Sequence, residues 1–156
     1  MRRHPDGAGP GSSSSSWPVS HLSRKARHGL LFAALGVIAV LGVARWLRPD
    51  PRGFGTHQQL GLFPCHFRAI TGVGCPSCGM TTAFAWFVRG RFDASWGANP
   101  AGCLLAGLCV GLVPWMLLGA VTGRTWGVRS IDAVFLRGTL VVATVSFLVW
   151  AVRLFL

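Results

Sequence analysis

Three long apolar runs dominate the pattern of the chain. They cover residues 29–47, 100–121 and 133–155, and each has about the 20 residues that a helix needs to cross the hydrocarbon core of a bilayer. The second run follows Asn99 and Pro100, which are typical of an N-cap and a first-turn proline. The pattern therefore predicts three membrane-spanning helices.

A fourth apolar stretch, residues 69–89, carries no charge before Arg89 but is interrupted in its first half. The residues there that oppose a regular helix are Gly72, Gly74, Pro76 and Gly79. We expect irregular backbone over 69–78 and a helix from about 79 to 89. Irregular backbone at membrane depth persists only where protein or a cavity covers it. The segment is therefore either a broken span or a re-entrant or interfacial hairpin.

The segment before the first apolar run, residues 1–28, is rich in Gly, Ser and Pro and ends in a basic stretch. Such a composition cannot bury enough apolar surface to order itself. We therefore expect a disordered basic tail over 1–28 and a single membrane domain over 29–156.

Composition supports the membrane interpretation. Hydrophobic residues make up 51% of the chain and charged residues 12%, whereas soluble domains carry about 25% charged residues. The mean hydropathy is +0.51. These values predict an all-α integral membrane protein with several crossings in the cell membrane, so that the lipid bilayer is its first partner.

The net charge of +11 comes from 15 Lys and Arg against 4 acidic residues. The basic residues flank the apolar runs, which is typical of membrane helices, and we expect no nucleic-acid partner. If the segment 69–89 crosses, the positive-inside rule places the N-terminus in the cytoplasm and Cys65 outside. The charge bias is weaker with three crossings.

Five cysteines divide into two groups. Cys103 and Cys109 lie within an apolar run, where a thiol commonly serves as a small buried side chain. The other three, Cys65, Cys75 and Cys78, lie close together in the sequence and are the candidate site.

A metal site is one interpretation of this group. The Cys75-Pro-Ser-Cys78 spacing lets two thiolates bind one Zn²⁺ from a tight turn, and Cys65 would add a third ligand. His66 or His57 is the candidate fourth ligand. Zinc is therefore the cofactor to test.

Two other interpretations remain open. A thiol–disulfide oxidoreductase would use Cys75, activated at a helix N-terminus, as the nucleophile and Cys78 as the resolving thiol. Its layout is similar to that of quinone-linked, disulfide-forming proteins of the vitamin K epoxide reductase type. A structural disulfide would instead join Cys65 to Cys75 or Cys78 and fix the loop to the helix.

Other catalytic chemistry finds no support in the sequence. It has no Ser-His-Asp arrangement with a nucleophile elbow and no Gly-rich phosphate loop, and its four acidic residues lie on separate segments. These absences argue against an ordinary hydrolase, kinase or glycosidase. The leading hypothesis is a non-enzymatic membrane protein whose three-Cys motif organises a metal or disulfide site for binding or assembly, with another membrane protein as a candidate partner.

Residues 65–102, from "CHFRAITGVGCPSCGMTTAF" to "NPAG", resemble a family of small bacterial membrane proteins known as a domain of unknown function (2752 type). The resemblance implies no activity, but it singles out a set of motif positions. They are Cys65, Thr71, Gly72, Cys75, Pro76, Cys78, Gly79, Thr81, Ala83, Arg89, Gly90, Phe92, Asn99 and Pro100. Thr82 departs from the pattern, because family members commonly have Arg there.

Overall fold

The structure, a computed structural model, describes residues 19–126 and 131–155. Its helices are α1 (Arg24–Trp46), a short 3-10 helix (Thr56–Leu60), α2 (His66–Thr71), α3 (Met80–Phe87), α4 (Phe92–Ala98), α5 (Pro100–Thr122) and α6 (Ile131–Phe155). Two three-residue strands, β1 (Val19–His21) and β2 (Arg124–Trp126), pair antiparallel. Residues 1–18 of the predicted tail lie outside the described range. The fold is helical, as predicted, apart from this short ladder.

Helices α1 and α5 form an antiparallel pair. Ala34 of α1 is buried in one cluster with Met116 of α5, and Ala44 is buried in a second cluster with Ala106. These alanines leave room for the two backbones to approach closely. We call the end where α1 stops and α5 starts the cysteine end, because residues 48–99 connect the two helices there.

Two of the three predicted spans are helices long and apolar enough to cross a membrane. In the apolar 18-residue stretch of α1 only 17% of the residues are buried, and in that of α5 only 22% are buried. The core helix of a soluble protein is mostly buried. Most residues of these two apolar stretches are therefore not buried inside the protein. Within α6 the apolar helix over Leu136–Val152 is shorter, so the third span stays a prediction.

The segment 69–89 folds as a hairpin at the cysteine end and does not run the length of the bundle. Its helix α3 has eight residues, or about 12 Å, whereas the hydrocarbon core of a bilayer is about 30 Å thick. Just past α3, the Arg89 guanidinium donates to the carbonyls of Ala44 (3.1 Å), Arg45 (2.6 Å) and Leu47 (2.6 Å). The segment thus ends at the level where α1 ends.

Helix α4 then packs back against α3 and leads into α5. The Ser95 hydroxyl, fully buried, donates to the carbonyl of Ala83 at 2.8 Å. Phe87 and Phe92 meet edge to face with ring centroids 4.9 Å apart across the turn at Gly90, which has φ +75°. Within the protein, this stretch is therefore a helical hairpin, α3–α4, that turns at Gly90.

An Arg89→Met variant should destabilise the protein by about 2 kcal/mol or more. It removes charged hydrogen bonds to carbonyls at the end of α1, and such bonds contribute about 1.5–3 kcal/mol. Thermal unfolding in detergent, followed by circular dichroism, measures the change. The control Arg45→Met removes a neighbouring charge whose side chain is exposed, and we expect a loss within about 0.5 kcal/mol. Equal losses in both variants would contradict the capping role.

Candidate metal centre

The Sγ atoms of Cys65, Cys75 and Cys78 all lie within 4.8 Å of one another, and those of Cys65 and Cys75 are 3.5 Å apart. All three side chains are half-buried free thiols. In a tetrahedral zinc site with Zn–S bonds of about 2.3 Å, sulfurs lie about 3.8 Å apart. The three thiols therefore need to move by about 1 Å or less to bind one ion.

Two short elements bring the thiols together. Cys65 lies at the N-cap of α2, and the chain returns after α2 because Gly72 closes that helix with φ +74°. The Cys75–Cys78 segment forms a tight turn in which the N–H of Cys78 donates to the carbonyl of Cys75 at 2.9 Å. The turn then leads directly into α3, with Gly79 as its N-cap.

Asn99 fastens this turn to the start of α5. Its Nδ2 donates to the carbonyls of Pro76 (3.2 Å) and Cys78 (3.0 Å), and its Oδ1 accepts from the N–H of Gly102 (2.9 Å). The predicted N-cap is thus confirmed, and Pro100 is the first residue of α5, as expected. The same side chain that caps α5 also positions the cysteine turn.

Helix α6 holds the turn from another side. The Ser146 hydroxyl donates to the carbonyl of Pro76 at 3.0 Å, and the indole N–H of Trp150 donates to the carbonyl of Gly74 at 2.9 Å. Sequence reasoning missed both residues. They lie some seventy residues beyond the turn in an apolar run, and no local pattern indicates which face of α6 meets the cysteines.

Position 79 requires glycine for two reasons, its left-handed backbone conformation and the close approach of two other backbone segments. It has φ +84°, and a Cβ there would lie 2.5 Å from the carbonyl oxygen of Gly53 and 2.8 Å from that of Ala98. The backbone before α3 therefore packs directly against two other backbone segments. No residue with a side chain fits this position without moving one of them.

Three further positions, Thr71, Thr81 and Thr82, lie on α2 and α3. The Thr71 hydroxyl donates to the carbonyl of Phe67 at 2.7 Å and accepts from the N–H of Val73 at 3.2 Å, which shapes the exit from α2. Thr81 lies half-buried in the first turn of α3. Thr82 is fully buried, and its hydroxyl bonds to that of Thr56 at 2.7 Å. Position 82 thus holds the 3-10 helix against α3.

The thiols differ in acidity. A hydrogen bond from the backbone N–H of Arg68 to the sulfur lowers the pKa of Cys65 from its ordinary value, and contacts with Cys75 and Cys78 add to this. Burial, followed by the contact with Cys65, raises the pKa of Cys75. Cys65 is therefore the first of these two thiols to ionise and the first available as a thiolate ligand.

Two cavities flank the cysteines, with volumes of about 300 Å³ and about 250 Å³. Both are lined by Arg52, Phe54, Arg68 and Cys78. The Arg68 guanidinium stacks 3.6 Å from the centre of the Phe54 ring, and Arg52 binds the carboxylate of Asp50 at 2.7 Å. The cysteine cluster therefore lies beside a cationic, aromatic wall that sequence reasoning did not anticipate.

The two histidines considered as fourth ligands lie apart from the cluster. Within the described part of the chain, the group close enough to share an ion contains the three thiols and neither His66 nor His57. His66 is exposed. The Nε2 of His57 is 3.2 Å from the carbonyl oxygen of Phe63, and its side chain lines the smaller cavity. The structure thus brings the three candidate thiol ligands together and leaves both candidate histidines outside the group.

No curated protein and no solved structure matches the chain. A family model described as "Protein of unknown function (DUF2752)" matches residues 65–113. The matched region starts at Cys65, includes the cysteine turn and the α3–α4 hairpin, and extends into α5. Through these residues, which hold all three clustered cysteines, the chain is similar to the DUF2752 family.

Proposed function

We propose that this is a non-enzymatic membrane protein whose Cys65, Cys75 and Cys78 bind one thiophilic metal ion, with Zn²⁺ as the first candidate. The observation that carries the proposal is the convergence of three sulfurs within 4.8 Å of one another. Thiolates select soft or borderline metals such as zinc over magnesium or calcium. The ties to α5 and α6 support a preformed site.

The use of three thiols favours metal over a disulfide. A disulfide between Cys65 and Cys75 would consume two thiols and leave Cys78 without a role, although its sulfur belongs to the same group. A metal ion uses all three. Nothing in the geometry or in the comparisons favours the thiol–disulfide oxidoreductase alternative.

We also propose that α1, α5 and α6 cross the bilayer and that the α3–α4 hairpin enters it from the cysteine end. The low burial of the apolar stretches of α1 and α5 supports this arrangement. Exposed aromatic side chains also lie at the cysteine end, where tryptophans commonly mark the membrane interface. They include Trp46, Phe92 and Trp96, exposed by 74%, 56% and 53%.

Metal binding is tested on the full chain purified in detergent. We expect one Zn²⁺ per chain by equilibrium dialysis, and a drop of at least about tenfold in affinity for Cys78→Ser, because one of three thiolate ligands is lost. Cys109→Ser, outside the cluster, is the matched control and should bind as the native chain does.

Alkylation gives a second readout on the same samples. Zinc should protect three thiols from iodoacetamide until a chelator is added. Absence of zinc, or alkylation at the same rate with and without it, would refute the metal site. A disulfide would instead leave two of the three thiols unreactive with or without chelator, until a reductant is added.

We further propose that the Arg24 end of α1 faces the cytoplasm, so that the cysteine end lies on the opposite side. Arg24, Lys25 and Arg27 precede the apolar part of α1 and support this orientation. A membrane-impermeant maleimide added to intact cells with a chelator should then label Cys65. Labelling only after the cells are permeabilised would reverse the orientation.

A further inference from the structure

We infer that the metal has a fourth coordination position open to the larger cavity, where Arg68 binds the negative charge of a small ligand that completes the site. The ligand class is a small molecule with one metal-binding donor atom and a separate anionic group. This inference rests on the proposed metal site and adds the class of ligand that the site takes. Three protein ligands plus an exchangeable fourth is the usual arrangement of zinc sites that act on a ligand.

The larger cavity has the size and position that such a ligand requires. Its volume of about 300 Å³ is at the small end of the range for ligand pockets. Cys75 and Cys78 both line it, so an ion on the thiols would lie at its wall. Trp150 and Arg68 also line it, which gives it an aromatic side and a cationic side.

Of the two arginines that line the larger cavity, Arg68 is the one whose guanidinium N–H groups have no acceptor among the described residues. The structure describes two acidic side chains, and each pairs with another arginine, Asp50 with Arg52 at 2.7 Å and Asp93 with Arg91 at 3.4 Å. The charge of Arg52 is thereby matched. Arg68 has no carboxylate partner among these described groups, and its stacking on Phe54 fixes the plane of its guanidinium without consuming N–H donors.

The guanidinium also lies near the thiols. A Cβ built on Gly74 would be 3.5 Å from an Arg68 guanidinium nitrogen and 3.6 Å from the Sγ of Cys78. The two atoms can therefore be no farther apart than the sum of these distances. A ligand with a few atoms between its donor and its anionic group can reach both.

Arg68 allows an anionic ligand to bind at this position. Three thiolates and one divalent ion carry a net charge of −1, so an additional anion needs a positive group beside it. Arg68 supplies that group, and its planar fork suits the two oxygens of a carboxylate or sulfonate.

Cobalt-loaded protein tests the inference, because thiolate-to-cobalt absorption reports the metal site and changes when a fourth ligand binds. The probes are 2-mercaptoethanesulfonate and the neutral 2-mercaptoethanol, which share a thiol donor and differ in charge. We expect the anionic thiol to bind at least about tenfold more tightly, a difference of about 1.4 kcal/mol. Arg68→Gln should reduce this preference to about one, and Arg68→Lys should retain part of it.

Arg124→Gln removes an arginine at the other end of the bundle and should keep the full preference. In the native chain the preference for the anionic thiol should also decrease as the sodium chloride concentration is raised, because salt screens the ion pair. This second measurement needs no variant. It therefore decides the question even if Arg68→Gln does not fold.

The outcomes separate the two proposals. No thiolate-to-cobalt absorption in the native chain would refute the metal site itself, and the inference with it. Normal cobalt loading with equal affinity for the two thiols would overturn only the inference. A preference that persists in Arg68→Gln, or that is insensitive to salt, would do the same.

Discussion

The Gly79→Ala variant should lose most of its metal binding and about 3 kcal/mol of stability. Two effects add. A residue with a Cβ is strained at φ +84° by about 1–2 kcal/mol, and the added methyl would overlap the carbonyl oxygens of Gly53 and Ala98 at 2.5 Å and 2.8 Å. Both oxygens belong to backbone, which yields less readily than a side chain. The cysteine turn that precedes Gly79 should therefore shift away from Cys65.

Gly90→Ala is the matched control for this change. Gly90 has a similar φ of +75°, but a Cβ there would meet nothing within 4 Å. It should therefore show the strain alone, about 1–2 kcal/mol, and keep its zinc affinity. The measurement is thermal unfolding and zinc titration of both variants in detergent. If the two variants lose the same stability and affinity, close packing at Gly79 is not what shapes the site.

The Asn99→Ala variant should have the second large effect, a loss of about 2–3 kcal/mol together with weaker zinc binding. Removal of an N-cap costs about 1 kcal/mol, and the partly buried carbonyl of Cys78 loses the bond from Nδ2 at an additional cost of about 1–3 kcal/mol. The carbonyl of Pro76 keeps its bond from Ser146. The turn should therefore loosen mainly at Cys78.

Asn99→Ser separates the two roles of this side chain. Serine is a good N-cap, so it should restore about 1 kcal/mol through the bond to the N–H of Gly102. Its hydroxyl cannot reproduce the two donated bonds to the turn, so zinc affinity should remain as low as in Asn99→Ala. Native zinc affinity in the serine variant would show that the cap alone positions the cysteines.

Much of the fold could be predicted because membrane helices depend on local composition. The predicted run 29–47 ends one residue beyond α1, and the predicted run 100–121 lies within α5. Length and apolarity alone are enough to predict such helices. The start of α5 was predicted as well, because Asn99 and Pro100 carry the cap signal in adjacent residues. The helix α1 begins earlier, at Arg24, where Ser23 caps it by accepting from the N–H of Ala26.

The sequence could not show whether residues 69–89 run along the bundle or fold back as a hairpin, because this depends on where Arg89 binds. An arginine after an apolar stretch is compatible with either membrane face. Only its contacts with the carbonyls of Ala44, Arg45 and Leu47 locate it beside the end of α1. The same limit applies at the opposite end, where Arg27 donates to the carbonyls of Ala120 and Val121 at the end of α5.

The three thiols of the candidate site could be predicted from the sequence. The Cys75–Cys78 spacing and the nearby Cys65 identify them as candidate ligands, because a tight turn can bring residues three apart onto one ion. The cavity beside them could not be predicted, because it depends on tertiary packing. Its walls include Arg68, Phe54 and Trp150. The sequence resemblance marks Thr82 as a departure but does not show its contact. In the structure its side chain is buried and hydrogen-bonds to Thr56.

The most direct test of the three-thiolate metal site is the X-ray absorption spectrum of the zinc-loaded chain at the zinc edge. The account predicts three sulfurs at about 2.3 Å and one lighter ligand in the fourth position. Cys78→Ser should then show two sulfurs, and Cys109→Ser should still show three. A native spectrum with no sulfur, or with only one, would contradict the account.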